Sequence, residues 1–280
     1  MRVNPHTHGW WFIFLMFITA SCQRPQNAGI APSPTPIIQT TSQTLTQSPS
    51  PSLTPVEDRI LGRGLKLESE KFRTVRRQVR YDIQGEYPRI IPITDRRARR
   101  FNNEVNRKIR KHYVYMTAPK RRWLRDLIQT IPEQNPLQTA EFSYQVLTTN
   151  KDFLSVRFQD INYTYPAAHP LEDFFTVNFE LKNGRVLLIS SVFKRNTRYK
   201  NTIARLCEKQ LTAEGLYVHA DAILTDLHRN IEWNVTREGL VINFDRCAIS
   251  SCGDGQRSVT IPYGELENIL NPRVQTILSK

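Results

Sequence analysis

The chain has 280 residues, of which 39 are Lys or Arg and 26 are Asp or Glu, giving a formal net charge of +13. Such an excess of positive charge favours polyanions or anionic surfaces as partners. Nucleic acid, the usual partner of a basic chain, is not expected, because the N-terminal residues predict export from the cytoplasm.

Residues 1–21 have the pattern of a lipoprotein signal peptide. Arg2 precedes an apolar run over residues 9–18, which is shorter than the roughly 20 residues of a stable membrane anchor but typical of a secretory h-region. The small residues ahead of Cys22 resemble a lipobox. We therefore expect diacylglycerol and N-acyl (palmitate) chains on Cys22 to anchor the protein in a membrane. An ordinary signal peptide with an incidental cysteine is the alternative.

Residues 22–56 are predicted to form a disordered tether. From Gln23 to Val56 the 34 residues include seven prolines, many Ser, Thr and Gln, and a single charge at Arg24. Such a stretch cannot bury enough apolar surface to fold, and it spans on the order of 100 Å when extended. We expect it to hold the body, residues 57–280, clear of the membrane in the cell envelope. Gln23 points to the outer membrane if the host has one.

Most of the excess positive charge lies in one part of the body. Residues 71–125 carry 18 Lys and Arg against 4 Asp and Glu, a net charge of +14, whereas residues 126–280 carry 16 against 18. This field favours an anionic wall polymer or lipopolysaccharide; a solvated helix face that only maintains solubility is the alternative. The candidate basic surface consists of Arg96, Arg97, Arg100, Arg107, Arg110, Lys111, Arg121 and Arg122.

The first half of the body predicts a strand followed by helices. Residues 72–89 alternate loosely between apolar and polar positions, which indicates one strand. Thr94 and Asp95 then provide an N-cap for a helix. Its apolar residues share one face at spacings of three and four, and they are Ala98, Phe101, Val105, Ile109 and His112 or Tyr113. A shorter helix is predicted after Pro119.

The second half predicts hairpins with interspersed helices. Residues 141–149 and 153–163 form one hairpin, and residues 173–181 and 185–189 form another around a type I′ turn at Asn183-Gly184. The remaining predicted elements are helices at 199–214 and 220–229, strands at 233–236, 240–244 and 258–261, and a helix at 262–270. This order predicts an α+β fold of antiparallel strand meanders packed with several helices.

Three cysteines remain once Cys22 is lipidated. One disulfide is expected in an oxidising compartment, and Cys207, Cys247 and Cys252 allow three pairings. We favour Cys247–Cys252, which would close the loop over residues 248–251. Cys207 lies on the inward face of its predicted helix, as a small buried hydrophobic residue does.

The motifs of common catalytic and cofactor sites are missing from the sequence. It has no Gly-x-Ser-x-Gly elbow and no phosphate-binding glycine loop. The histidines of the body show no pair at metal-ligand spacing, so no metal and no cofactor are predicted. His169, near Asp160, Glu172 and Asp173, is interpreted as part of a binding surface. A cell-wall hydrolase or deacetylase that uses His169 and these carboxylates is the alternative.

The body also resembles a known family over roughly residues 72–272. The residues that carry this resemblance are Tyr87-Pro88, Phe101 to Asn106, Asn162 to Pro170, Phe175 to Leu181, Lys182 to Arg185, Val192-Phe193, Gly239 to Phe244 and Val259 to Leu266. They resemble the extracytoplasmic domain family shared by the lysozyme-binding ectodomain of the anti-sigma factor RsiV and the N-terminal region of the peptidoglycan deacetylase PdaC. The resemblance divides the body into a basic N-terminal lobe, residues 57–165, and a C-terminal lobe, residues 166–280.

The resemblance implies a non-catalytic binding module for a lysozyme-like protein or for peptidoglycan and other wall material. Its expected contact surface is the two loops over residues 163–173 and 248–258. The ligand-binding candidates in these loops are Tyr165, His169, Glu172, Asp173, Ser251 and Asp254. A typical basic lysozyme would be repelled at long range by the +14 segment.

Overall fold

The computed structural model of the protein describes residues 59–62, 64–77, 80–117, 136–229 and 231–278. The chain divides into two units, Met1–Ser50 and Pro51–Lys280, and the described residues all belong to the second. The predicted signal peptide, Cys22, the tether, the helix after Pro119, Arg121 and Arg122 lie outside the described residues. Within the described ranges, no helix is both long enough and apolar enough to cross a membrane.

A seven-stranded sheet forms the centre of the body, with its strands in sequence order. The strands are β1 (Arg59–Gly62), β2 (Leu65–Arg76), β3 (Tyr81–Ile91), β4 (Gln138–Thr149), β5 (Phe153–Thr164), β6 (Leu171–Glu180) and β7 (Arg185–Val186). Neighbouring strands are antiparallel, except that β3 and β4 are parallel.

The single strand predicted over residues 72–89 is wrong, because this region contains a hairpin. β2 and β3 pair antiparallel from Lys66↔Ile91 to Arg76↔Tyr81. The amide of Arg80 donates a hydrogen bond to the carbonyl of Arg77, and Arg80 takes a positive φ of 53°. A positive φ is uncommon outside glycine, asparagine and aspartate. The turn therefore lacks the residues by which turns are usually recognised.

Helix α1 (Arg96–Thr117) follows β3 and covers one face of the sheet. The Asp95 carboxylate accepts a hydrogen bond from the amide of Arg97 (2.7 Å) and so caps the first turn. The predicted apolar face is confirmed, since Ala98, Phe101, Val105 and Ile109 are all buried. Burial of a side chain such as Phe101 contributes about 1.5–3 kcal/mol.

The two predicted hairpins are present, with two differences in the second, where the last strand ends at Val186 and not at residue 189, and the turn is longer than predicted. β4 and β5 pair around residues 150–152 as expected. β6 and β7 also pair, but their last pair is Glu180↔Arg185, so a four-residue turn replaces the predicted two-residue type I′ turn. Gly184 lies in that turn with a φ of 59°, and a Cβ there would come within 2.8 Å of Arg97 Cγ. The close approach of α1 therefore constrains the turn.

A second sheet of three strands has the order β10-β9-β8. Its strands are β8 (Glu232–Val235), β9 (Gly239–Phe244) and β10 (Arg257–Pro262). The accompanying helices are α2 (Ile189–Val192), α3 (Tyr199–Ala213), α4 (Ala220–Arg229), α5 (Tyr263–Leu266) and α6 (Pro272–Leu278). α3, α4 and the strands at 232–235, 239–244 and 257–262 match their predicted positions.

The helix predicted from residue 262 through 270 is wrong beyond Leu266. The amide of Lys194 donates to the carbonyl of Ile269, and the amide of Asn271 donates to the carbonyl of Val192 (each 2.8 Å). Leu270 also forms an isolated bridge with Phe193. The amides of Ile269 and Leu270 both donate to the carbonyl of Leu266 (each 2.9 Å), so the chain turns after α5, and the contacts with residues 192–194 then hold it in this conformation.

Two hydrophobic cores lie on opposite sides of a buried polar layer. One core joins α1 to the seven-stranded sheet, and the other joins the three-stranded sheet to the helices that follow β7. Between the sheets, Ser155 Oγ donates to Asn178 Oδ1 (2.7 Å) and accepts from Asn234 Nδ2 (2.9 Å). Asn243 Nδ2 donates in turn to Asn234 Oδ1 (2.9 Å). Buried polar groups that satisfy one another fix one arrangement of the two sheets.

The fold is α+β, as the sequence predicted. The large sheet continues past the predicted lobe boundary at residues 165 and 166, because β5 and β6 pair over ten residues from Phe153↔Glu180 to Asn162↔Leu171.

Candidate functional site

The part of the β6 edge that β7 leaves unpaired is closed by carboxylates. Because β7 pairs only with Phe179 and Glu180, the earlier residues of β6 need other partners on that side. Glu232 Oε2 accepts hydrogen bonds from the amide (2.7 Å) and the hydroxyl (2.8 Å) of Thr176. Asp245 Oδ1 accepts the amide of Phe174 (2.7 Å). Side chains thus satisfy backbone donors that an open strand edge would offer to another chain.

A cleft of about 430 Å³ opens beside this edge. Its walls come from α1, from the residues around Leu187, and from the facing ends of α3 and α4. The volume falls within the range of roughly 300–1,000 Å³ that is typical of ligand sites. The buried residues of its lining include Thr176, Asn178 and Trp233.

The charged lining of the cleft, which we call the basic cleft, is mostly positive. Its cations are Arg107, Lys108, Lys200 and Arg229, and its carboxylates are Glu104 and Glu232. Both α1 cations are paired: Arg107 is bonded to Glu104, and Lys108 Nζ lies 3.4 Å from Glu232 Oε1. Within the described residues, Lys200 and Arg229 have no carboxylate within ion-pair distance, although Lys200 Nζ lies 3.3 Å from His228 Nδ1. Two cations therefore stay available to an anionic ligand.

The solvent side of α1 extends this positive surface. Arg96, Arg100, Arg110 and Lys111 are exposed, and none has an ion-pair partner among the residues described. On the β2–β3 hairpin, by contrast, Arg73 pairs with Asp82, and likewise Lys71 and Arg89 each face a glutamate. The exposed face of α1 therefore presents four cations that have no acidic partner among the described residues.

The predicted basic residues differ in their surroundings. Arg107 is exposed, as are Arg96, Arg100, Arg110 and Lys111. Arg97, in contrast, is half-buried and forms an ion pair with Asp95 at 2.6 Å. Arg100 donates to the carbonyl of Gly184 (3.0 Å), which ties α1 to the β6–β7 turn.

A separate cluster of potential metal ligands lies where α1 meets β5 and β6. His112, Asp160 and Asp173 each offer one ligand atom, and these three atoms lie within 4.8 Å of one another. Asp160 and Asp173 are direct cross-strand partners. His112 Nδ1 is 3.5 Å from Asp160 Oδ2, and its ring stacks on Phe175 with the ring centroids 4.6 Å apart.

The two carboxylates of this cluster lie in a poorly solvated environment. Asp160 is only 2% exposed, and its Oδ1 has no hydrogen-bond partner among the described residues. Burial, followed by the charge of Asp160, raises the pKa of Asp173, while His112 and a hydrogen bond with Asn162 act in the opposite direction. A buried and a half-buried carboxylate that face each other disfavour the doubly charged state.

The candidates predicted in the first loop do not come together. Tyr165 and His169 are exposed, and His169 Nδ1 lies 3.0 Å from the carbonyl oxygen of Pro170. Glu172 and Asp173 belong to β6 and point to opposite faces of the sheet, because side chains alternate along a strand. Asp173 thus joins His112, and the exposed His169 is not part of this cluster.

The candidates in the second loop lie beside a disulfide. Cys247 and Cys252 are bonded, which is the pairing that the sequence favoured, and Cys207 is buried and free. Ser251 is exposed and precedes a short 3-10 turn over Cys252–Asp254. The disulfide and the bond from Arg246 Nε to the carbonyl of Cys252 (2.8 Å) fix this loop.

Sequence reasoning missed His112 as a partner of Asp160 and Asp173, and it missed the four cations of the cleft as a group. The pairing of β5 with β6 was the available signal, because Asp160 and Asp173 are equally far from the centre of the connecting loop. No local pattern connects Lys108 with Lys200 and Arg229, which come from three different helices.

Comparison with known proteins identifies the fold. A member of the DUF3298 family from Bacteroides fragilis has a TM-score of 0.54 at 14% identity, over 78% of this chain and 98% of that one. A DUF3298 family protein from Pseudomonas aeruginosa PAO1 has a TM-score of 0.54 at 13% identity, over 74% and 96%. No protein-family model and no curated protein matches the sequence. The chain therefore shares the fold of an uncharacterised domain family, while the resemblance to RsiV and PdaC stays a prediction.

Proposed function

We propose that this protein is a non-catalytic, lipid-anchored binding module of the cell envelope, and that its ligand is an anionic envelope polymer. The observation that carries the proposal is the basic cleft, in which Lys200 and Arg229 have no carboxylate within ion-pair distance among the described residues, although the charge of Arg229 acts on Asp226. Phosphate or carboxylate groups of a polymer would provide the negatively charged partners that these two side chains lack.

The exposed face of α1 adds a second contact region to the basic cleft. Arg107 and Lys108 line the cleft, and Arg110 and Lys111 continue along the same helix toward solvent. When one anionic group of a polymer binds in the cleft, the cations of α1 attract other anionic groups of the same polymer. Repeated weak contacts along one chain raise the overall affinity without any new pocket.

Charge favours one of the two ligand classes suggested by the sequence. A basic lysozyme would approach a surface on which Arg96, Arg100, Arg110 and Lys111 of α1 are exposed without acidic partners among the described residues, and like charges oppose such an encounter. An anionic polymer is steered toward the same surface. We therefore choose the polymer, and lysozyme binding becomes an outcome that would contradict the choice.

The lipid anchor completes the proposal. Acyl chains on Cys22 would keep the protein at a membrane, and the proline-rich tether would let the body reach polymer at some distance from the lipid surface.

The test is retention of the purified protein on immobilised teichoic acid, an anionic phosphate polymer, compared with uncharged dextran. We expect retention on teichoic acid only. The Lys200→Glu/Arg229→Glu variant should lose most of it, because the two unpaired cations become anions.

Arg205→Glu/Lys209→Glu is the matched control, since it makes the same change in net charge at exposed positions of α3 that do not line the basic cleft. It should keep most of the binding. Equal loss in both variants would show that net charge alone drives retention and would contradict a site in the cleft.

A further inference from the structure

We propose that His112, Asp160 and Asp173 form a binding site for a divalent transition-metal ion of the Zn²⁺ type, separate from the basic cleft. The three side chains come from α1, β5 and β6, and their potential ligand atoms lie within 4.8 Å of one another.

The geometry is close to that of a coordination sphere. Zinc binds nitrogen and oxygen ligands at about 2.0–2.2 Å, which places tetrahedral ligand atoms about 3.4 Å apart. His112 Nδ1 and Asp160 Oδ2 are already 3.5 Å apart. Stacking on Phe175 restricts the imidazole ring, so a small movement of the carboxylates would bring all three groups onto one ion.

The unpartnered oxygen of Asp160 is the independent observation that points to a ligand. Asp160 is 2% exposed, and among the described residues nothing donates a hydrogen bond to its Oδ1. A buried carboxylate oxygen without a partner is costly. Asp173 faces it directly across the two strands, and like charges in that position destabilise a sheet. One divalent cation removes both penalties.

The ligand set selects the class of ion. Mg²⁺ and Ca²⁺ prefer sites made entirely of oxygen atoms, whereas imidazole favours zinc and other late transition metals. Three protein ligands leave a fourth position for water. The ion would also join α1 to β5 and β6, so binding should stabilise the fold.

The test is a calorimetric titration of Zn²⁺ into the full chain after removal of metal with a chelator. We expect one ion per chain and a rise in Tm on binding. Asp160→Asn and His112→Ala should each weaken binding by at least about 100-fold, because loss of a ligand costs no less than loss of its supporting contacts. Circular dichroism shows whether each variant is folded, and Asp173→Asn provides a third variant.

Two matched controls distinguish this site from metal binding at surface residues. Glu172→Gln changes the carboxylate next to Asp173 on the opposite face of β6, and His169→Ala removes an exposed histidine. Both should bind Zn²⁺ as the unmodified protein does. The proposal would be overturned by the absence of saturable binding, by full affinity in folded Asp160→Asn, or by loss of binding in His169→Ala.

Discussion

The Asp245 carboxylate provides a hydrogen-bond acceptor for the backbone of β6. Its Oδ1 accepts the amide of Phe174 on the open edge of β6 (2.7 Å). Burial raises its pKa to about 6, the hydrogen bond from Phe174 opposes that rise, and the charges of Asp173, Glu232 and Asp226 add to it. The residue is therefore protonated in the folded protein at pH values at which it is ionised in the unfolded chain.

This raised pKa predicts a pH dependence of stability. Between about pH 4 and pH 6 the folded state binds the extra proton, so the free energy of unfolding should fall as the pH rises. The fall is on the order of 1 kcal/mol for each unit of pKa difference. Asp245→Asn keeps an oxygen acceptor for Phe174 and should remove this part of the dependence.

Urea denaturation from pH 4 to pH 7, with chelator present, measures this effect. Asp221→Asn is the control, since Asp221 is an exposed carboxylate in the first turn of α4, and its pH profile should match that of the unmodified protein. An Asp245→Asn profile that also matched would mean that Asp245 is not the titrating group.

The sequence could predict a site only from residues that lie close together along the chain. Asp173 was named as a ligand candidate because it lies near His169 in sequence, yet the histidine that it approaches is His112. About 60 residues of chain separate His112 from Asp173, so only the packing of α1 on the sheet brings them together.

At the scale of elements, local signals predicted α1 and the β4–β5 hairpin correctly. α1 has an apolar stripe at helical spacing and a capping aspartate, and residues 150–152 form a polar turn between two strands. The β2–β3 turn was missed because an arginine with positive φ replaces glycine. The parallel pairing of β3 with β4 depends on a long crossover connection, which no window of sequence encodes.

The Cys247–Cys252 disulfide should stabilise the body by about 2 kcal/mol, because it closes a loop of only a few residues in the unfolded chain. The loop contains Ile249, which is buried in the second core. Cys247→Ala/Cys252→Ala should lower the free energy of unfolding by that amount.

Guanidinium denaturation with and without a reducing agent measures the disulfide's contribution. The reduced unmodified protein should match the double variant, and the reducing agent should not change the variant itself. Burial raises the pKa of the Cys207 thiol to about 12, so this thiol stays protonated and unreactive. A difference between the reduced protein and the variant would contradict the assignment of the effect to this pair.

For the whole molecule, membrane attachment is predicted to depend on one residue. Cys22→Ser should abolish incorporation of labelled palmitate and release the protein from the membrane fraction of a bacterial host, because serine offers no thiol for lipid transfer. Ser21→Ala keeps a small residue ahead of Cys22 and should remain labelled. Labelling of the Cys22→Ser variant would show that the lipid is attached to another residue and would contradict the prediction of a lipobox at Cys22.

The composition of the whole chain predicted an anionic partner, whereas the structure locates the cations that such a partner can reach. The sequence predicted a strand and two helices for the +14 segment, residues 71–125, and placed the candidate basic surface on the helices. Lys200 and Arg229 lie outside that segment, and they join Arg107 and Lys108 only because the ends of α3 and α4 and part of α1 line the same cleft.

Binding of teichoic acid as a function of salt is the most direct test of the proposed function. The Debye length falls from about 30 Å at 0.01 M to about 8 Å at 0.15 M ionic strength. Calorimetric titrations of the purified protein should therefore show saturable binding at low salt that weakens steeply toward physiological salt. Binding that is insensitive to salt, or tight binding of lysozyme with none of teichoic acid, would contradict an anionic polymer as the ligand.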